Sequence, residues 1–169
     1  MTEHIIAALK DLPAEAVVFL IATVPIAELR GAIPWALAPP PVGGGLSWQE
    51  AYFWAVMGNL LPVPFLLGLL GPLSERLRRW GPMDRFFGWL FARTRRRGRL
   101  VERYGPIGLV LFVGIPLPVT GAWTGTVAAF LFGVPFRRAF PAIVLGVLLA
   151  GAIVISASLG ILGVARVFI

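Results

Sequence analysis

An acid and a base, Glu28 and Arg30, stand two residues apart inside residues 25–37, a stretch that is otherwise apolar enough to enter a membrane. On insertion-based scales a charge at the bilayer centre costs roughly 2.5 to 3.5 kcal/mol, so charged residues in such a place mark functional sites. Residues two apart do not face each other on a regular helix. The spacing therefore predicts either an unwound turn that pairs the two side chains or a separate partner for each.

A second apolar stretch, residues 114–125, is broken by Pro and Gly in the same way. Both stretches have a proline before the break, a Gly-Ala pair and a nearby Trp. Pro25 aligns with Pro116, and Gly31 aligns with Gly121 when one gap is allowed. The match favours an internal repeat, and we expect the two breaks to form the two halves of one site.

The composition is that of an integral membrane protein. Of the 169 residues, 58% are hydrophobic and 14% are charged, and the mean hydropathy is +0.86. The chain has no Cys, which excludes disulfides and thiolate metal sites, and its single histidine, His4, is expected to be a surface residue. The sequence shows no metal-ligand cluster, phosphate-binding loop or nucleophile–base set, so we expect no cofactor and no enzymatic activity.

The apolar segments on either side of each break are too short to cross a bilayer. Residues 14–24 would extend about 16 Å as a helix, whereas a hydrocarbon core is about 30 Å thick. Residues 32–38 form a second short piece after the break, and residues 106–115 and 122–133 repeat the arrangement. Each pair predicts a re-entrant hairpin that is shielded by protein or faces a wet cavity. For the first pair, a single kinked span is the alternative.

Two further segments are long enough to cross. Residues 51–71 would cover about 31 Å as a helix, and Ser47 with Glu50 forms a capping-box pattern at their start. Asn59 is the strongly polar residue inside this span and is expected to contact either another helix or a ligand. Residues 139–163 are rich in Gly and Ala, which suits close packing between membrane helices.

A basic connector over residues 72–104 carries ten of the fourteen arginines. Such clustering beside apolar spans is typical of a cytoplasmic loop, and we expect no nucleic-acid partner. Aromatic residues between these arginines predict amphipathic helices that lie on the anionic cytoplasmic leaflet. Arg137 and Arg138 follow the second hairpin, which is therefore expected to enter from the cytoplasm and to return there.

Together these elements predict an all-α integral membrane protein with a single membrane domain over residues 1–169. Repeat one (13–71) and repeat two (105–163) would each consist of a re-entrant helical hairpin and a transmembrane helix, in opposite orientations. Inverted repeats with paired broken segments are a recurring plan of secondary transporters, whose sites lie near the midplane. We expect an inner (plasma) membrane protein with a cytoplasmic connector, extracytoplasmic termini and a homodimer that shields the short hairpins.

The second helix of each hairpin is expected to begin near Gly31 or Gly121 and to aim its N-terminus at the membrane interior, where free N–H groups favour an anion. Arg30 adds a planar fork suited to phosphate or carboxylate. The predicted substrate-binding residues are Glu28, Arg30, Gly31, Thr120, Gly121 and Thr124. The predicted cavity-wall residues are Pro34, Trp35, Pro116, Pro118 and Trp123. The alternative for Glu28 and Arg30 is an ion pair that only stabilises the turn.

Residues 27–34, 102–106 and 115–125 carry motifs that resemble the small multidrug export protein family, and the resemblance extends over about residues 10–165. That family is itself distantly similar to the DedA, or VTT-domain, membrane proteins. Those proteins share paired re-entrant hairpins and include translocases of undecaprenyl phosphate and of phospholipids. The resemblance implies the same hairpin fold and a role in transport, and the family name implies drug export.

The favoured function is transport of an anionic amphiphile, such as a polyprenyl phosphate or a phospholipid, between leaflets. Arg30 would be the receptor and Glu28 a proton-coupling group, so the expected partners are a membrane lipid or lipid phosphate and protons. The first alternative is proton-coupled efflux of a cationic drug, in which Glu28 binds cation and proton in turn. The second is a non-transporting membrane scaffold. Arg30 argues against a bare cation pocket, and the paired breaks argue against a scaffold.

Overall fold

A computed structural model of the chain describes residues 12–77, 88, 92, 94, 98–116 and 120–168, without the side chains of 71–77 and 162–168. The described residues form helices and no strand, which confirms the predicted all-α class. The N-terminal residues 1–11, most arginines of the predicted connector and Pro118 lie outside the described residues.

The helices follow one another in chain order. They are α1 (Ala14–Thr23), α2 (Glu28–Leu37), α3 (Trp48–Leu60), α4 (Pro62–Leu77), α5 (Arg99–Tyr104), α6 (Pro106–Gly114), α7 (Ala122–Leu131) and α8 (Phe136–Phe168). Among the described residues, two stretches, Trp48–Leu70 and Phe136–Ile161, are long and apolar enough to cross a membrane. They contain most of the two predicted spans, whereas α1, α2, α6 and α7 are short, as expected.

Proline interrupts the first long stretch. α3 ends at Leu60, Leu61 forms a turn, and α4 begins at Pro62. Because proline has no N–H, Pro62 cannot donate to the Gly58 carbonyl, and Pro64 cannot donate to the Leu60 carbonyl. α4 then continues to Leu77, so this helix extends into the beginning of the segment that was predicted as the connector.

The predicted capping box starts α3. The hydroxyl of Ser47 donates to Glu50 Oε2 at 2.7 Å, and the Ser47 backbone N–H donates to the same oxygen at 3.0 Å. In return the Glu50 N–H points at Ser47 Oγ at 3.4 Å. The reciprocal bonds satisfy helix N-terminal donors that have no intrahelical partner, so this local prediction is confirmed.

The chain divides into two compact units. The discontinuous unit consists of Met1–Asn59 and Gly151–Ile169, and the continuous unit is Leu60–Ala150. The discontinuous unit contains the short pair α1 and α2, all but the last residue of α3 and the C-terminal part of α8. The continuous unit contains the short pair α6 and α7, together with α4, α5 and the N-terminal part of α8.

In the discontinuous unit, helices meet at glycines. A Cβ on Gly58 of α3 would collide with the backbone carbonyl of Phe19 in α1. A Cβ on Gly151 of α8 would lie 2.8 Å from Cε2 of Tyr52 in α3. A side chain at either position would push the helices apart. Glycine allows the close approach, as small residues commonly do between membrane helices.

In the continuous unit, α6 makes the corresponding approach to α8. A Cβ on Gly146 would lie 2.7 Å from Cβ of Val113 and 3.0 Å from the carbonyl oxygen of Val110. A Cβ on Gly125 of α7 would collide with the Val113 side chain. Val113 of α6 therefore packs against both α7 and α8. α4 also packs against α7.

The two units therefore share one packing arrangement. The first helix of each short pair crosses a long helix at a glycine, Gly58 in one unit and Gly146 in the other. Phe19 and Val110 present the carbonyls that lie against these glycines. In chain order, α1 is the second helix before α3, and α6 is likewise the second helix before α8.

Candidate functional site

Glu28 and Arg30 pair with each other at the first break. Nη2 of Arg30 lies 3.5 Å from Oε2 of Glu28. The Glu28 side chain is 6% exposed and the Arg30 side chain is 32% exposed, so the acid is buried while the base still reaches the surface of the unit. Of the two predicted arrangements, the structure has the direct pair.

The backbone at Glu28 explains how residues two apart can meet. Its φ is 44°, in the left-handed region that non-glycine residues rarely adopt. Such a conformation costs about 1–3 kcal/mol and is concentrated at functional sites. The preceding turn is closed by the Glu28 N–H, which donates to the Val24 carbonyl at 3.0 Å. This φ differs from that of a regular helix, in which residues two apart do not face each other, and here the two side chains meet.

α2 begins one turn earlier than expected. It starts at Glu28, so Gly31 lies inside its first turns instead of at its N-terminus. A Cβ on Gly31 would lie 3.0 Å from Cβ of Ala27 and 3.8 Å from Cγ2 of Ile21. Gly31 therefore lets α2 fold back closely on the turn and on α1.

The predicted cavity-wall residues of the first break lie along α2. Pro34 is exposed and has no N–H to donate to the Arg30 carbonyl. Trp35 is half-buried beneath the glycine-rich loop that follows α2. The Gly44 N–H donates to the Trp35 carbonyl at 3.0 Å, and a Cβ on Gly44 would lie 3.2 Å from the Trp35 ring. The loop thus packs on one side of the indole.

At the second break, α6 ends at Gly114 and α7 begins at Ala122 with Gly121 as its N-cap, which matches the predicted start. Thr120 is 7% exposed, and its hydroxyl donates to the Ile115 carbonyl at 2.8 Å. The Thr124 hydroxyl donates to the Gly121 carbonyl at 3.3 Å. Both threonine hydroxyls therefore donate to backbone carbonyls at the break.

Each break gathers its own predicted residues, and the two sets belong to different compact units. The first set is Glu28, Arg30, Gly31, Pro34 and Trp35. The second set is Pro116, Thr120, Gly121, Trp123 and Thr124, of which Pro116 and Trp123 are half-buried. A single site built from both breaks stays a prediction.

Sequence reasoning missed one polar contact beside the first break. The hydroxyl of Thr23, the last residue of α1, is shared between the carbonyls of Phe19 at 2.9 Å and Gly58 at 3.0 Å. The available clue was Pro62, which follows Gly58 by one helical turn and cannot donate to it. Next to Gly58, Asn59 is 1% exposed, and its Oδ1 has no hydrogen-bond partner among the described residues.

The described residues contain no group of three or more His, Cys, Asp or Glu side chains that could hold a metal ion. The predicted substrate-binding side chains at the described breaks supply one carboxylate, one guanidinium and the hydroxyls of Thr120 and Thr124. A guanidinium beside a buried carboxylate can bind an anion and exchange one negative partner for another.

Comparison with known proteins gives two matches. Residues 28–153 match the family described as "Putative small multi-drug export protein". The chain is 33% identical over 112 residues to the fluoride-specific ion channel FluC 2 of Synechococcus sp. (strain CC9902), an alignment that covers 59% of this chain and 82% of the channel. No solved structure matches the chain. Since the family profile covers residues 28–153, which is more than half of the chain, the chain belongs to this family of small multi-drug export proteins.

Proposed function

We propose that this protein is a transporter that moves an anionic amphiphile, such as a polyprenyl phosphate or a phospholipid, between leaflets. The observation that carries the proposal is the pair formed by buried Glu28 and partly exposed Arg30 at the break between α1 and α2. The Arg30 side chain is 32% exposed, and its planar guanidinium suits a phosphate. The left-handed backbone of Glu28 holds the two side chains in this arrangement.

Proton coupling follows from the charge balance of this pair. An ionised Glu28 and Arg30 together carry no net charge. A phosphate that binds Arg30 adds a negative charge, and a proton taken up by Glu28 restores the balance. Because unbalanced charge is costly away from water, the site favours binding anion and proton together.

The shared packing of the two units supports the proposed inverted repeat. Trp48 and Phe136, the first residues of α3 and α8, precede Gly58 and Gly146 by the same number of residues. At the next aligned positions the first helix carries Gln49 and Glu50, whereas the second carries Arg137 and Arg138. Positive charge favours the cytoplasmic side, so equivalent helix starts of such different charge favour opposite orientations.

Within this proposal the protein lies in the inner (plasma) membrane, with the connector 72–104 in the cytoplasm and the termini outside. Two copies would shield the short hairpins from lipid, since broken backbone is tolerated in a bilayer only where protein or water covers it. The exposed apolar residues of the long helices, such as Phe65 and Leu145, would face lipid or the second copy.

The comparisons favour two other substrates. The name of the FluC 2 relative favours conduction of a small inorganic anion, for which Arg30 would again be the binding residue. The family name favours export of drugs, and Glu28 would be the binding residue for a cationic drug. The three substrates differ in charge and size, so one set of assays separates them.

The test is a comparison of three fluxes in proteoliposomes: translocation of a short-chain polyprenyl phosphate, fluoride efflux, and pH-gradient-driven uptake of a cationic dye. We expect the first flux in the wild type and its loss in Arg30→Ala, with partial recovery in Arg30→Lys because lysine keeps the charge but not the fork. Arg97→Ala in the connector is the control for losing one positive charge. Equal effects of Arg30→Ala and Arg97→Ala would rule out Arg30 as the receptor, and flux of fluoride or dye alone would select the corresponding alternative.

A further inference from the structure

In the continuous unit, two residues that are far apart in sequence meet, and each shortly precedes a basic helix segment. Gly98, just before α5, packs against Phe132, just after α7: a Cβ on Gly98 would lie 2.9 Å from Cζ of the phenyl ring. Arg99 follows this glycine at once, and α8 begins with Phe136 shortly after Phe132. The contact therefore joins the residue before α5 to the residue after α7, and α8 begins four residues further on. We call four arginines near this contact in sequence the arginine collar: Arg99 and Arg103 of α5, and Arg137 and Arg138 in the first turn of α8.

The arginine collar is exposed and carries an excess of positive charge. All four side chains are exposed, and none forms an ion pair with a carboxylate in the described part of the chain. Glu102 is the acidic residue among the described residues of α5 and the first turn of α8, and it is exposed too. The Arg103 guanidinium lies 5.4 Å from the centre of the Tyr104 ring, which fixes it on an aromatic face. Four positive charges thus stand against one negative charge.

Apolar and aromatic side chains alternate with these arginines. Leu100 is 37% exposed, Tyr104 is 51% exposed, and Phe136 is 47% exposed. The ring of Phe136 stacks on that of Phe140 at 5.8 Å, one turn into the membrane-capable helix. Arginine beside exposed aromatic side chains at the end of such a helix is the composition of a membrane–water interface, where charged heads reach phosphates and rings lie at headgroup level. Exposed Leu100 and the membrane-capable helix that begins at Phe136 favour a lipid leaflet over a nucleic acid.

We propose that the arginine collar is a docking surface for the headgroup phosphates of an anionic phospholipid leaflet, distinct from the site at Arg30. The surface would hold the start of α8 and the second short pair at the leaflet through charge-assisted hydrogen bonds to phosphate. Each arginine near an anionic membrane surface contributes about a fivefold increase in affinity.

The test uses the purified full-length chain in neutral detergent, equilibrated with short-chain phosphatidylglycerol or phosphatidylcholine, with bound lipid counted by native mass spectrometry. All variants carry Arg30→Ala as well, so the proposed substrate site does not contribute. We expect Arg99→Gln/Arg103→Gln and Arg137→Gln/Arg138→Gln each to weaken phosphatidylglycerol binding by about tenfold or more and to leave phosphatidylcholine binding unchanged.

A variant that is expected to strengthen lipid binding shows that the weaker binding of the other variants is not caused by misfolding. Glu102→Gln removes the acid of the collar, so we expect phosphatidylglycerol to bind several-fold more tightly. Wild-type affinity in both double variants would overturn the proposal, as would a short DNA duplex or an acidic peptide that binds the collar more tightly than phosphatidylglycerol. Because transport through Arg30 is measured separately, failure of the collar leaves the proposed transport function standing.

Discussion

Thr23 supplies a hydrogen bond that Pro62 withholds: its hydroxyl lies 3.0 Å from the Gly58 carbonyl, the group to which residue 62 of a regular helix would donate. The equivalent glycine of the other unit, Gly146, has Ala150 one turn ahead in a continuous helix and needs no such help. Gly114 is the last residue of α6, as Thr23 is the last residue of α1, and it has no hydroxyl. A Cβ on Gly114 would lie 3.5 Å from the Gly146 carbonyl oxygen. Of these two crossings, the one where proline removes a backbone donor is therefore the one that has the threonine hydroxyl.

Thr23→Val should therefore destabilise the protein by about 1–3 kcal/mol, because an apolar isostere leaves a carbonyl without a donor. Thr126→Val is the matched control. The Thr126 hydroxyl donates at 2.7 Å to Ala122, a carbonyl that already accepts the helical N–H of Thr126, so we expect a smaller loss. Thermal unfolding in detergent measures both. Equal losses would show that the Gly58 carbonyl does not depend on Thr23.

The close helix contacts at Gly58 and Gly146 lead to a second prediction. Gly58→Ala and Gly146→Ala should each destabilise by about 1–3 kcal/mol, since the methyl group meets backbone or a packed valine. Gly68→Ala and Gly160→Ala are the controls, because a Cβ there meets nothing within 4 Å. In those helical positions alanine should stabilise by up to about 1 kcal/mol. A ranking of melting temperatures that mixes the two groups would contradict the described packing.

The substitution Glu28→Gln distinguishes a proton-coupling role of Glu28 from a purely structural role in the pair with Arg30. The substitution fixes the neutral form and keeps the shape, so pH-gradient-driven transport should stop although downhill exchange continues. If Glu28 only pairs with Arg30, driven transport should fall in proportion to the folded fraction. The measurement is gradient-driven uptake per folded molecule in vesicles. A wild-type value would rule out a coupling role for this carboxylate.

Single-cysteine labelling on this Cys-free chain tests the orientation. Val42→Cys and Tyr104→Cys suit the purpose because the native side chains are 76% and 51% exposed. Gly43 is unsuitable, since a Cβ there would collide with the Trp35 carbonyl. A membrane-impermeant maleimide should reach residue 104 from the cytoplasm and residue 42 from outside. Labelling of both from one side would refute the opposite orientation of the repeats.

Features set by neighbouring residues were predictable from sequence. The Ser47–Glu50 capping box, the end of α1 before Pro25 and the start of α7 after Gly121 each follow from residues within one helical turn. The interruption between α3 and α4 follows from Pro62 for the same reason.

Features that depend on distant partners were not predictable. The start of α2 was misplaced by a turn because Glu28 takes a left-handed φ, which no propensity of glutamate favours. The bond from Thr23 to Gly58 required knowing which two helices cross, and the approach of Gly98 to Phe132 required the same knowledge for α5 and α7. The pairing of Glu28 with Arg30 was foreseen only as one of two arrangements.

The split of the discontinuous unit bears on the order in which the chain is made. A ribosome extends a protein from its N-terminus, so all of Leu60–Ala150 is synthesised before Gly151 exists. Until then Tyr52 and Val56 lack the glycine surface against which they pack. The helices α1–α3 are therefore synthesised well before the part of α8 that packs on α3, and they enter the bilayer without that contact.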